Sequence, residues 1–259
     1  MTPTLFYRTN GDIGEIVLNQ PVKRNAISAA MWAGLQEAAT AAGADANASV
    51  IVIRGEGGHF AAGADIDEFE KVYATTESAR AYTRVMLDAL AAVEALPKPT
   101  LAAIRGACIG GGCSIALACD FRFAAETAKI GVTPGKLGLV YSVADTRRLV
   151  AAVGESHAKD LLLTGRLVDA GEAKAMGFAN RVLPDNALDA EVAAFCRDLA
   201  GVSRWSTRAT KEMLRLLKTG AADDDAEAAA LLVSAFTHAD FGEGYRAFLE
   251  KRKPSFPTR

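Results

Sequence analysis

Several hallmarks of specialised proteins are missing from these 259 residues. The four cysteines, Cys108, Cys113, Cys119 and Cys196, fall at spacings that fit no zinc site. Three of them share one apolar stretch, so they read as reduced core residues, with a reactive thiol as the competing reading. No apolar run reaches the ~18 residues a membrane span needs, because Arg105 and Asp120 interrupt the best candidates. Met1 to Asn10 lacks the basic-then-apolar pattern of a secretory signal. The expectation is a cytoplasmic protein. A formal net charge of −2 leaves no broad pull toward nucleic acid or an anionic membrane, although a local basic patch is compatible with it. Low-complexity tracts and convincing linkers are absent too. Composition is otherwise ordinary, 50% hydrophobic and 23% charged. The length suits one large domain, or a core with a small appendage.

What is present alternates between two periodicities. Leu5 to Arg8 and Ile13 to Leu18 are β-rich runs around Asn10-Gly11-Asp12, a hairpin turn. Ser28 is placed to cap a helix that runs to about Ala42 and stops at Gly43. Val50 to Arg54 is a β-branched run of the kind found in buried strands. Tyr82, Met86, Leu90 and Val93 recur at helical spacing within Glu77 to Leu96, before Pro97 and Pro99. Thr100 to Ile104 and Phe121 to Ala124 read as strands, with a small-residue helix around Ser114 to Cys119 between them. Strand–helix alternation predicts an α/β core with parallel pairing. The second half is mostly helical. Asp169 and Glu172 form a capping-box pattern ahead of Gly177. Breaks are expected near Gly201 and Thr219-Gly220, and Asp223 to Asp225 suit a helix start. A soft boundary falls near 195–205, giving a core over 1–200 and a helical region over 201–259.

Two segments carry candidate chemistry. Phe60-Ala61-Ala62-Gly63-Ala64-Asp65-Ile66 follows a buried strand, and its small residues let a ligand approach free backbone N–H groups. A plain turn capped by Asp65 is the alternative. Gly106 to Ser114 places Gly110, Gly111 and Gly112 just before a helix, where unsatisfied amides and the helix dipole favour an anion or oxyanion. Close packing is the alternative there. The G-x-G-x-x-G spacing of dinucleotide folds is absent, and no Gly-Lys-Ser/Thr of a P-loop follows.

Together these two segments resemble the paired motifs of the crotonase (enoyl-CoA hydratase/isomerase) superfamily. Four further stretches agree in order: Pro21 to Ala26, Ala118 to Arg122, Leu163 to Arg166 with Ala173 to Gly177, and Phe248 to Pro254. The resemblance implies a crotonase-type spiral of ββα units with a C-terminal helical trimerisation region, assembled as a homotrimer or a dimer of trimers. It implies an acyl-CoA thioester substrate, no permanently bound cofactor, no metal, and no nucleic-acid or membrane partner. The family's oxyanion hole carries over to the N–H groups of Ala64 and Gly111. Coenzyme A contacts carry over to Lys23, Arg24, Ala26, the backbone of Ala62 to Ile66 including Asp65, and Lys251, the last from a neighbouring subunit. A family position that is often aromatic falls on Leu232.

The pattern then breaks. Ordinary hydratases of the family hold a water between two glutamates, and those positions are Ser114 and Pro134. Neither is a titratable carboxylate, so an efficient hydratase is not expected. An aspartate used by dienoyl isomerases and some thioester hydrolases aligns with Ser142. Thr133 to Tyr141 is similar to methylmalonyl-CoA decarboxylase, although that enzyme's histidine and glutamate are Ala64 and Ser114 here. Tyr141, Ser114, Ser142 and Asp145 are the candidate acid–base residues. Three of them have a structural reading beside the chemical one: ring packing for Tyr141, helix capping for Ser114, and, for Asp145, pairing with Arg147 or Arg148 or capping of the next helix. His59 reads as a loop histidine. The expectation is a lyase or isomerase working through a thioester enolate. A decarboxylase, a slow hydratase, a thioester hydrolase and a non-catalytic acyl-CoA binder are the alternatives.

Overall fold

A computed structural model describes residues 3–256. The chain opens with a hairpin, β1 (Leu5–Asn10) and β2 (Ile13–Leu18), paired antiparallel so that Asn10 faces Ile13. Two residues, Gly11 and Asp12, make the turn, and Gly11 supplies a positive φ of 60°. Strands β3 (Val50–Gly55), β4 (Thr100–Ile104), β6 (Phe121–Ala125) and β9 (Arg181–Leu183) extend the sheet in parallel, in the order β1-β2-β3-β4-β6-β9. Between β4 and β6 lies β5 (Ala107–Ile109), which pairs with β7 (Lys129–Gly131) and, through it, β8 (Leu167–Asp169) in a small second sheet.

Strands β3, β4 and β6 at the centre of the main sheet are largely apolar on both faces because both faces are covered. Ile51, Ile53, Ala102 and Ile104 join the main core. Val50, Val52, Leu101 and Phe123 alternate to the opposite face, under Leu188, Val192 and Cys196 of α7 (Leu188–Ala200). Burying each large aliphatic side chain contributes about 1.5–3 kcal/mol. Helix α1 (Ala29–Ala44) covers the main core with Met31, Trp32 and Leu35, and packs on α3 (Thr76–Glu94). Ser28 caps α1 as expected, through Met31 N–H. The helix passes through Gly43, however, and ends at Asp45, because the ammonium of Lys98 takes up the carbonyls of Ala42 and Asp45.

A short helix, α2 (Phe69–Val72), precedes α3; the sequence carries no clear signal for it. Helix α4 (Gly111–Ala118) starts three residues earlier than the sequence suggests, within the glycine run. Helix α5 (Val143–Thr164) is broken at Gly154, whose φ of 75° is not helical. Asp169 caps α6 (Ala170–Ala175), but only half the capping box forms. The Glu172 carboxylate turns instead to Arg166, which also holds Asp160. The C-terminal region holds α8 (Arg204–Lys218), α9 (Ala226–Thr237) and α10 (Ala239–Leu249). Asp225 caps α9 through Glu227 and Ala228 N–H. The break at His238, which caps α10, has no proline or glycine to announce it. Lys211 anchors α8 to the core through Asp120 at 2.6 Å. All four cysteines are buried and free. Among the described residues no helix is long and apolar enough to cross a membrane, and no cluster suits a metal ion.

Candidate active site

Strand β3 and strand β5 each deliver a loop to the same cavity, of about 180 Å³. The first loop, Ala62 to Ala64, is tied down on both sides. Ala62 N–H donates to Arg24 O at 3.0 Å, and Gly63 O accepts from Ile27 N–H at 2.7 Å. The second runs Ile109 to Gly111 and leads into α4. A short parallel bridge joins the two: Ala61 N–H donates to Ala107 O at 2.9 Å, and Ile109 N–H to Ala61 O at 3.0 Å. Gly110 has a positive φ of 50°, and a Cβ there would lie 3.8 Å from Gly63 Cα, so the loops touch. Ala64 N–H donates to no group among the described residues. Gly111 is the first residue of α4, so its N–H has no intrahelical acceptor, and the helix dipole adds to it. Ala64 and Gly111 both line the cavity.

Next to Gly111 stands a pair of hydroxyls. Ser114 Oγ and Tyr141 Oη are 2.7 Å apart, and Tyr141 Oη donates to Gly110 O at 3.4 Å. Ser114 therefore does not cap α4; it is the fourth residue of the helix, with its amide already donating to Gly110 O. Burial, with Cys113 and Asp145 nearby, pushes the Tyr141 phenol well above its ordinary value, so it holds its proton at neutral pH. Pro134 also lines the cavity, at the start of a 3-10 turn, and brings no proton chemistry. Ser142 caps α5 by accepting from Asp145 N–H, and its hydroxyl donates to Asp145 Oδ2 at 2.7 Å. Asp145 is 1% exposed and ion-pairs with Arg148 at 3.1 Å, while Arg147 plays no part in this pair. Among the described residues Asp145 is the only ionisable carboxyl lining the cavity, and no Lys, Arg or His lines it.

The far wall is aromatic. Phe69 and Tyr73 meet edge to face at 5.0 Å, and Tyr73 meets Tyr82 likewise at 5.6 Å. Trp32 Nε1 donates to Tyr82 Oη at 3.2 Å. The Trp32 ring also abuts Gly111, where a Cβ would come within 3.0 Å of Cζ2. Trp32 and Tyr82 carry the helical spacing of core residues, so the sequence conceals their place at the cavity.

The expected coenzyme A residues are placed unevenly. Lys23 Nζ is shared between Asp65 at 2.7 Å and Asp67 at 2.8 Å, which push the ammonium pKa up. Asp65 also caps the turn at Ile66 to Glu68. Arg24 is exposed and pairs with no carboxylate among the described residues; its φ of 52° is left-handed. Ala26 sits behind this loop, its carbonyl accepting from Gln20 Nε2. Ala62 and Ile66 line the cavity. Lys251 follows α10, exposed, and does not line it; Leu232 is exposed on α9. Two residues that hold the loops together escape sequence reasoning. Asn25, fully buried, accepts from Gln20 N–H and donates to Glu56 O and His59 O. His59 is more than a loop residue: Nδ1 accepts from Ala107 N–H at 3.1 Å, bracing the start of β5. The first lies in the Pro21 to Ala26 stretch of the resemblance, which does not announce its bracing role, and nothing announces the second.

Paired loops with free amides at one cavity, on an alternating sheet-and-helix core, define the crotonase class of α/β protein. The comparisons place it further. The family model for enoyl-CoA hydratase/isomerase matches residues 8–259. A structure of an enoyl-CoA hydratase/isomerase family protein from Hyphomonas neptunium is 48% identical, with a TM-score of 0.98 over 100% of this chain and 99% of that one. A structure of an enoyl-CoA hydratase/carnithine racemase from Magnetospirillum magneticum is 36% identical, with a TM-score of 0.95 over 100% and 97%. A Thermus thermophilus protein bearing the name enoyl-CoA hydratase is 39% identical over 95% of this chain and 98% of its own. The chain belongs to the enoyl-CoA hydratase/isomerase family.

Proposed function

We propose that this protein binds an acyl-CoA thioester with its carbonyl oxygen between the N–H groups of Ala64 and Gly111, and works through the enolate they stabilise. The observation that carries this reading is two amides without acceptors of their own, on touching loops, at one cavity. As charge moves onto the thioester oxygen, each preplaced donor lowers the barrier by about 3–4 kcal/mol. Backbone donors need no particular side chain, so this capacity is independent of what stands at positions 114 and 134.

Proton handling then falls to hydroxyls. Hydration needs a base to activate water, and the lone carboxylate of the cavity is neutralised by Arg148 and engaged by Ser142. Loss of each positioned acid–base group costs on the order of 10²–10⁴-fold, so hydration is slow. The pair Ser114–Tyr141 supplies a proton rather than taking one. That suits a lyase or isomerase in which bond cleavage or migration makes the enolate and Tyr141 delivers a proton to it. Decarboxylation is the plainest such reaction, because loss of CO2 needs no base. The names of the relatives favour hydratase activity, and this is the second reading.

Arg24, with Lys23 beside it and Lys251 from a neighbouring subunit, is proposed to meet the coenzyme phosphates. The residues over 201–259 form the proposed oligomerisation region: Leu232, Val233, Phe236, Phe241 and Phe248 are each more than half exposed, an apolar surface that a trimer, or a dimer of trimers, would bury. The proposed compartment is the cytoplasm. The test is a thioester panel. Crotonyl-CoA hydration at rates ordinary for hydratases defeats the reading of Ser114 and Pro134. Absence of CO2 release from malonyl-CoA and methylmalonyl-CoA removes the decarboxylase form. Saturable acetyl-CoA binding by calorimetry with no turnover of any thioester reduces the protein to a binder.

A further inference from the structure

Tyr82 has a hydroxyl with half its capacity unused. Its oxygen accepts from Trp32 Nε1 at 3.2 Å, yet its proton finds no acceptor among the described residues. The side chain is 8% exposed and lines the cavity, so this proton is left available to what the cavity holds. Burial lifts the phenol to about 12, so it is a donor throughout the neutral range. Through the Trp32 ring, Tyr82 Oη lies within on the order of 10 Å of Gly111 Cα by covalent geometry. That is several bonds along an acyl chain whose carbonyl oxygen sits at Gly111. Around it the wall is apolar and aromatic: Phe69, Tyr73, Met86 and Trp32. A plain alkyl chain would leave the Tyr82 proton unpaired there, at the cost of an unmade hydrogen bond. A carboxylate fares worse. Among the described residues no Lys, Arg or His lines the cavity, and Asp65 and Glu68 already place negative charge near Tyr82.

We infer that the acyl subsite selects an acyl group carrying a neutral oxygen acceptor, such as a ketone or an ether, partway along its chain, and that Tyr82 is the residue that recognises it. This rests on the thioester reading above and adds the substrate class to it. Trp32 acts as a positioning residue, holding the phenol so that its proton faces inward while its own ring supports Gly111.

The experiment is isothermal titration of the full-length protein with acetyl-CoA, hexanoyl-CoA, 4-oxohexanoyl-CoA, 5-oxohexanoyl-CoA and adipyl-CoA. One oxo analogue is expected to bind roughly five- to tenfold tighter than hexanoyl-CoA, the size of one neutral hydrogen bond. Adipyl-CoA should bind more weakly than either oxo analogue. Tyr82→Phe should erase the oxo preference and leave acetyl-CoA affinity in place. Equal affinities for hexanoyl-CoA and both oxo analogues overturn the inference, as does a preference that survives in Tyr82→Phe, or adipyl-CoA binding tightest. Failure of every thioester to bind overturns the thioester reading itself, a separate result. Infrared spectra of the wild-type complex give a readout that does not depend on the variant's folding. The ketone stretch should stay below its frequency in an apolar solvent on binding, and a band at that apolar-solvent frequency overturns the assignment.

Discussion

Replacing Gly112 by alanine isolates the contribution of loop contact to the site. Gly112 is the second residue of α4, and a Cβ there would lie 2.6 Å from Ala61 O and 3.0 Å from Ala61 Cβ. Ala61 cannot retreat, because its N–H and C=O both hold β5. Reaching an ordinary contact of 3.4 Å from 2.6 Å moves the start of α4 by about 0.8 Å. The Gly111 amide moves with it, away from the Ala64 amide. A displacement of about 1 Å in a reacting geometry costs on the order of 10²-fold. Fold stability changes far less. Overpacking costs about 1–3 kcal/mol, offset by about 1 kcal/mol from the better helix propensity of alanine. The expected variant is folded, with a melting temperature lowered by a few degrees, and catalytically crippled. Infrared of bound butyryl-CoA labelled at the thioester carbonyl reads donor strength without turnover, and kcat on the thioester panel reads the consequence. The label should show weaker polarisation in the variant than in wild type. A folded Gly112→Ala protein with the same carbonyl shift and kcat within a factor of about three of wild type refutes the assignment of the two amides.

Tyr141→Phe and Ser114→Ala should each lower kcat by on the order of 10²-fold while acetyl-CoA affinity holds; an unchanged kcat in Tyr141→Phe leaves that ring as packing. Tyr7, Tyr73, Tyr82 and Tyr141 all have phenols raised above their ordinary value, with burial the first cause in each. Above about pH 10 the unfolded chain therefore releases protons that the folded chain keeps, and stability falls as pH rises. Denaturation midpoints at pH 9, 10 and 11 should descend in that order, and a flat series rejects the assignment. Cys108 and Cys113 are fully buried with sulfurs 3.9 Å apart, and burial raises the Cys108 thiol. A thiol reagent should modify none of the four cysteines in the native protein and all of them after denaturation; rapid native labelling would contradict this burial.

Elements with a local signal at both ends are legible in the sequence. Ser28 before α1, the Gly11 turn, and Pro97 and Pro99 after α3 each place a boundary where a backbone group is capped or a donor is missing. The glycine run is legible as a helix start, but not its register. Gly110 needs a positive φ and Gly112 needs close approach to Ala61, and only coordinates tell which glycine does which. Side-chain partners across the fold are least legible. Glu172 looks like a capping residue but serves Arg166, and Lys23 looks like a phosphate ligand but is shared by two carboxylates. In both cases a partner outside the local pattern, six residues away for Glu172 and 42 for Lys23, offers a stronger charge-assisted bond. The aromatic wall is hidden for a different reason: a residue that lines a cavity and one that fills a core share the same helical period.

The two departures at positions 114 and 134 change the proton inventory of the site rather than merely reducing it. A glutamate of ordinary pKa, about 4.3, is ionised at neutral pH and ready to accept a proton. A buried tyrosine hydroxyl held above its ordinary value, bonded to a serine, is protonated and ready to give one. Water addition begins by removing a proton from water, and so needs the first kind of group. An enolate formed by cleavage or migration ends by gaining a proton, and so needs the second. With the amides of Ala64 and Gly111 unaltered by either replacement, the proposed site keeps the oxyanion end of the chemistry while its proton end is reversed. The reaction should therefore run in the sense that discharges an enolate. Efficient abstraction of a proton from water in this cavity would require a base other than Asp145, the one carboxyl lining it among the described residues, which Arg148 and Ser142 already engage.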